Sequence, residues 1–248
     1  MTEARDLAVQ LYTLRARLAE DVDATLGAVA EMGLRIIEPF DLVRYGDALA
    51  TSMRVHGLRA ETAHIDLLEG EIDRVAEAAA GLGIGTVIQP WTEPERWTTL
   101  DGVRRVAEDL NDAAGRLATS GLRVGYHNHH FELASRFDDR HALEAFADEL
   151  DPEVVLEVDT YWAFAGGADV PALLRRLGDR VVALHIKDGD GSLDTKRQVP
   201  VGSGRLPVRD ILAAAPDALQ VIELDDTDGD LLDAVRASRG FLLELADA

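Results

Sequence analysis

Short apolar runs alternate with amphipathic stretches from one end of this chain to the other. The runs are 7–14 (LAVQLYTL), 34–39 (LRIIEP), 58–64 (LRAETAH), 85–91 (GTVIQPW), 122–129 (LRVGYHNH), 154–162 (VVLEVDTYW), 181–188 (VVALHIKD) and 219–225 (LQVIELD). They are rich in β-branched residues, and several are apolar almost throughout, as parallel strands covered on both faces are. Between them the apolar positions fall at helical spacing. Val22, Leu26, Val29 and Met32 share one helix face, and Val103, Val106, Leu110, Ala113 and Leu117 form a longer stripe that stops at Gly121. Leu143, Phe146, Ala147 and Leu150 predict another helix; Asp169 and Pro171 open the next, which Gly178 closes. Leu232, Val235, Phe241, Leu242 and Leu245 predict a closing helix. Eight strands alternating with helices in 248 residues predict a (β/α)₈ TIM barrel, one α/β domain over 1–248. A doubly wound open sheet would carry a glycine-rich turn after its first strand. Here that position reads LYTLRARL, without glycine.

Composition narrows the classes of function. The formal charge of −21 repels phosphate backbones, so nucleic acid is not an expected partner. No apolar run approaches the roughly 18–20 residues of a membrane span. The acidic start MTEARD does not read as a secretion signal, and a cytoplasmic location is expected. Cysteine is absent, which excludes disulfides and thiolate metal sites. Lys187 and Lys196 are the only lysines.

In a TIM barrel the site forms at the C-terminal ends of the strands. The polar residues there are Glu38, His64, Gln89, His127 with His129, Glu157 with Asp159, His185 with Lys187, and Glu223 with Asp225. Side chains alternate faces with period two, so each of these pairs shares a face. Four neighbouring strands thus aim His127, Asp159, His185 and Glu223 at one mouth. Imidazole and carboxylate ligands without sulfur suit a divalent cation, Mn²⁺ ahead of Mg²⁺, Co²⁺ or Zn²⁺. Taken singly, each residue has a plainer reading. His64 and His130 read as solvated or hydrogen-bonded, His56 and His141 as surface, and Glu38 as an arginine's partner. Tyr126 reads as packing, Trp91 as core, and Trp162 as a platform for a sugar ring.

The segments VQLYTLR, GLRVGYHNHHFE, LEVDTYW, RVVALHIKDGD, VGSGRLP and VIELDD occur in the order typical of the sugar phosphate isomerase/epimerase family, the xylose isomerase-like barrel group. The resemblance spans essentially the whole chain. It implies a single divalent ion, often Mn²⁺, held by four side chains. Asp159, His185 and Glu223 match three ligands; the fourth, usually a glutamate, falls on His127. The symmetric two-glutamate proton transfer of ketose 3-epimerases is therefore altered here.

The resemblance implies an isomerase or epimerase acting on a keto-sugar or sugar phosphate. It would abstract a proton next to the carbonyl and pass through a metal-stabilised enediolate. Glu223, His129 and Glu132 are the expected proton carriers. Glu38, His64, Trp162, Lys187 and Arg205 are the expected substrate contacts, and the glycine-rich loop 188–207 is expected to fold over the mouth, carrying Lys196 and Arg205 toward substrate. A sugar or cyclitol is the expected partner, and a homodimer is compatible with the family. An inosose or keto-sugar dehydratase, and a non-catalytic sugar- or metal-binding barrel, are the alternatives.

Overall fold

The computed structural model of the chain describes residues 7–69 and 72–247. The acidic start lies in 1–6, outside the described residues. Nine strands form one parallel sheet among the described residues: β1 (Leu7–Gln10), β2 (Ile36–Glu38), β3 (Arg59–Ala60), β4 (Thr62–His64), β5 (Thr86–Gln89), β6 (Arg123–His127), β7 (Val155–Asp159), β8 (Val181–Ile186) and β9 (Leu219–Ile222). Their order around the barrel is β3-β2-β1-β9-β8-β7-β6-β5-β4. The predicted third strand is split at Glu61. Its first half pairs with β2, its second half pairs with β5, and a bridge between Phe40 and His64 draws the seam together. The fold is thus a TIM barrel, closed except for that seam.

In two strands the end is set by a polar side chain that caps a new helical turn. Gln10 accepts the Tyr12 N–H and starts a 3₁₀ turn at Leu11–Leu14. Asp159 accepts the Trp162 N–H at 2.8 Å and starts the helix Thr160–Ala165. The predicted helices form at Val22–Glu31, Leu100–Leu117, Ala142–Glu149, Val170–Leu177 and Leu231–Ala246. Asp169 caps the fourth through the Ala172 N–H, with Pro171 in the first turn, and Gly178 leaves it at φ 57°. Most of the core lies between the sheet and the helices, where Val87, Val124, Tyr126, Leu156 and Val158 point outward from their strands.

The barrel interior changes character along its axis. Ala8, Ile36, Ala183 and Val221 make a small apolar plug. Gly125 lies at the same level, and a Cβ there would stand 3.2 Å from Val155 Cγ2 and 3.3 Å from Ile88 Cγ1. Two residues further along each strand the inward positions are Gln10, Glu38, His127, Glu157, His185 and Glu223, all buried.

Candidate active site

The deeper polar tier is organised by one oxygen. Glu157 Oε1 lies 2.6 Å from His64 Nε2, 3.0 Å from His127 Nδ1 and 3.0 Å from His185 Nε2. Beside it Glu38 Oε1 lies 2.6 Å from His185 Nε2 and accepts from Gln10 Nε2 at 2.8 Å, while Thr62 Oγ1 donates to Glu38 Oε2. With these nitrogens engaged below, the others face the upper tier. His185 Nδ1 lies 2.6 Å from Glu223 Oε2, and His127 Nε2 lies 3.7 Å from Asp159 Oδ2. A carboxylate that orders the far nitrogen of an imidazole orients the near one toward a metal.

Lys187 stands in the upper tier, 1% exposed. It donates to Asp225 Oδ2 at 2.7 Å and lies 2.8 Å from Glu223 Oε2. It is also 2.9 Å from Asp159 Oδ2, at ion-pair distance but out of hydrogen-bond alignment. Gln198 Nε2 donates to the same Asp225 oxygen at 2.7 Å.

Burial and charge work against each other here. Burial opposes ionisation of Glu157, but the charges of His185 and His64 hold its pKa well below the usual carboxylate range. Glu38, raised by burial and by repulsion from Glu157, leans toward the neutral acid. Burial disfavours imidazolium at His185, yet Glu157, Glu223 and Glu38 raise it well above an ordinary histidine. His127 is pushed well below by burial and by His185, and so is neutral. Burial pushes Asp159 up to about 6 against the pull of Lys187. Burial raises Glu223 too, but Lys187 and His185 overcome it and keep the carboxylate ionised.

Above these tiers opens a cavity of about 790 Å³. Its polar end includes His64, His127, His129, Glu223 and Asp225. His129 is stacked near Phe131 and Trp162, with its Nδ1 buried and unpartnered. Burial and then the Lys187 charge lower it to about 4, so it is a neutral imidazole.

Several residues stand elsewhere than the sequence predicts. Glu38 lies beneath the histidines and does not line the cavity; it is paired with His185 and not with an arginine. Lys187 does not line the cavity; three carboxylates enclose it. Trp162 is 6% exposed, because the Asp159 cap turns the chain into a helix and tucks the ring beneath His129. Trp91, read as core, is 45% exposed on the cavity wall. His141, read as surface, is buried, and its Nδ1 bonds the Leu133 carbonyl. The loop 188–207 does not line the cavity. Asp188 accepts N–H bonds from Gly189, Gly202, Gly204 and Leu206 and ties it down. It sends Gln198 inward, while Lys196 pairs with Asp226 and Arg205 lines a different, shallower pocket. Sequence reasoning also missed Asn128, which clamps β6 to β7 by accepting the Asp159 N–H at 3.0 Å.

Glu132 does not line the cavity. Its Oε1 accepts from Tyr126 Oη at 2.8 Å and its Oε2 from the His129 N–H at 2.9 Å, so it shapes the turn that carries His129. Burial raises its pKa from 4.5 to about 8. The folded state then binds this proton where the unfolded chain has released it. Its stabilisation is fully present below about pH 4.5 and is lost as pH rises through about 8. Glu132→Gln, which mimics the protonated acid, should flatten stability across this window. Urea midpoints at about pH 6 and about pH 9 measure it; an unchanged pH slope contradicts the assignment.

His127, Asp159, His185 and Glu223 offer ligand atoms all within 4.8 Å of one another, and His64, His127, Glu157 and His185 do so one level deeper. Two buried carboxylate oxygens, Glu157 Oε2 and Asp159 Oδ2, lack a hydrogen-bond partner. Orphaned buried carboxylate oxygens are costly, and a cation removes that cost. The upper set, two imidazoles and two carboxylates, fits a divalent ion.

Comparisons with known proteins agree with this architecture. The sequence profile described as "Xylose isomerase-like TIM barrel" matches residues 18–244. A sugar phosphate isomerase/epimerase from Parabacteroides distasonis ATCC 8503 superposes with a TM-score of 0.79 at 22% identity, covering 98% of this chain and 94% of that one. The IOLI protein with a bound zinc atom is similar at TM-score 0.75 and 14% identity, covering 98% of each chain. The 3-keto-D-glucoside 4-epimerase from E. coli is similar at TM-score 0.72 and 20% identity, covering 96% of this chain and 98% of that one. A search of curated proteins by sequence gives no match. With the profile spanning nearly the whole barrel, the chain belongs to the xylose isomerase-like TIM barrel family.

Proposed function

We propose that this protein is a divalent-metal-dependent sugar isomerase or epimerase that moves a proton on the carbon next to a keto-sugar's carbonyl. The observation that carries this is the upper set of two imidazoles and two carboxylates, gathered within 4.8 Å beneath a cavity. His127, Asp159, His185 and Glu223 would hold the ion, and its mixed nitrogen and oxygen ligands favour Mn²⁺. When bound, the ion supplies Lewis-acid polarisation of a carbonyl.

The chain's own groups do the rest. Glu223, kept ionised by Lys187 and His185, lines the cavity and is the base that takes the acidified proton. His129, neutral and with Nδ1 unpaired, is the second proton carrier on the same lining. Glu157 positions His127 and His185, and Asn128 holds Asp159 in place through its backbone. Return of a proton to the opposite face of the same carbon gives epimerisation; return to the former carbonyl carbon, with a proton passing from one enediol oxygen to the other, gives isomerisation. The xylose isomerase-like family of the chain supports this reading, as do structural neighbours that are a sugar phosphate isomerase/epimerase and a 3-keto-D-glucoside 4-epimerase.

Deuterium wash-in tests it. With Mn²⁺ present, a panel of keto-sugars in D₂O should include one that gains deuterium at a single carbon. A chelator should stop the exchange and fresh Mn²⁺ should restore it. Exchange that ignores the chelator, or no exchange in metal-loaded protein across the panel, overturns the proposal.

A further inference from the structure

The cavity has two unlike ends. One is the histidine and carboxylate floor. The opposite wall is apolar, built from Tyr12, Phe40, Leu42, Val43, Val75 and Trp91 on the loops and helices that follow β1, β2, β4 and β5. Six large hydrophobic side chains are exposed among the described residues, and three of them lie on this wall: Tyr12 at 41%, Val43 at 66% and Trp91 at 45%. In a chain with 5% aromatic residues, leaving Trp91 and Tyr12 in water is costly unless something covers them. Tyr12 packs edge-on against Phe40 at 5.4 Å, so these two rings form one surface on the wall.

Size points the same way. Sites that enclose drug-sized ligands span roughly 300–1,000 Å³, and about 790 Å³ lies high in that range. A single pyranose on the polar floor leaves the apolar wall uncovered. Charge narrows the class further. Asp41, Asp66, Glu223 and Asp225 all contribute to the lining, with Arg74 as its cation. Lys187 is committed to three carboxylates and does not reach the cavity. Lys187 and a bound dication offset Glu223 and Asp225 at the floor, but a phosphate on the outer wall would meet Asp41 and Asp66 against the single charge of Arg74.

We infer that the substrate is an uncharged glycoside of a keto-sugar, with its carbonyl on a ring carbon other than the anomeric one and with an apolar, planar aglycone. Its sugar ring sits on the histidine and carboxylate floor, and its aglycone lies against Tyr12, Val43 and Trp91. This rests on the sugar-site proposal and goes beyond it by naming the substrate class and excluding sugar phosphates.

The test is binding to the Mn²⁺-loaded full chain, measured by calorimetry, with Mn²⁺ content determined on the same samples. The probes are phenyl and methyl glycosides of glucose, galactose and xylose, together with glucose 6-phosphate. For at least one sugar the phenyl glycoside should bind on the order of tenfold or more tighter than the methyl glycoside. Trp91→Ala and Val43→Asp, both at exposed positions, should each bring that ratio close to one. Glucose 6-phosphate should bind more weakly than the phenyl glycoside. Equal phenyl and methyl affinities, including no measurable binding of either, overturn the inference, as does tightest binding of the phosphate. Bound Mn²⁺ with deuterium exchange on simple keto-sugars but no phenyl preference removes this inference alone. Loss of Mn²⁺ binding removes the sugar-site proposal with it.

Discussion

Replacing Asp159 by asparagine should leave the barrel folded and abolish binding of the proposed metal ion. Asparagine retains an Oδ1 that can accept the Trp162 N–H, so the cap that starts the helix Thr160–Ala165 survives. What disappears is the anionic Oδ2, which faces His127 and Lys187 without a hydrogen bond of its own. Mn²⁺ content, measured by atomic emission after dialysis, should fall from about one per chain to near zero. Carbonyl polarisation by a metal contributes several kcal/mol, so deuterium exchange should drop on the order of 10³-fold. Glu157→Gln should fall between wild type and Asp159→Asn. It disturbs the oxygen shared by three imidazoles without removing a ligand, which typically costs about 10–100-fold in metal affinity. Full metal content in the Asp159 variant would remove this carboxylate from the ligand set.

Lys187→Met should produce the largest loss of stability, and only in the absence of metal. The ammonium is buried within 2.9 Å of three carboxylates, Asp159, Glu223 and Asp225. Burial opposes its charge, but those three neighbours raise its pKa well above that of a free lysine, so it is a permanent cation. Methionine fills similar space and leaves the carboxylates facing one another. Removing one partner of a buried ion pair costs about 3–5 kcal/mol. For a chain of this length that corresponds to roughly 6–20 °C in Tm. A dication in the same tier neutralises those carboxylates, so Mn²⁺ should recover much of the loss. Calorimetric scans with chelator and with Mn²⁺ separate the two states. A variant that melts with wild type in chelator would show that Lys187 is not buried among these acids.

The eight barrel strands were legible because each is covered on both faces and reads as an apolar run. The four upper-tier residues were legible for a related reason. Period-two alternation carries the inward positions from the apolar plug to the mouth, so Ala183 leads to His185 and Val221 leads to Glu223. Roles that depend on depth were not legible. Glu38 and Glu223 look alike at strand ends, yet one lies under the histidines at 0% exposure and the other lines the cavity. Lys187 reads as a substrate contact until three carboxylates, distant in the chain, are seen around it. Trp162 is buried and not on the cavity wall because an aspartate cap, not hydrophobicity, decides where the strand Val155–Asp159 ends.

The sequence by itself therefore determined the barrel, and it determined which side chains meet at one end, because both follow from local periodicity along strands. Tertiary structure alone decided the vertical order of the charges, the sharing of Glu157 by three imidazoles, the anchoring of the loop 188–207 and the apolar wall of the cavity. Those depend on how far each strand is staggered against its neighbours and on which distant groups share a buried space. Neither quantity is written in the spacing of residues along the chain.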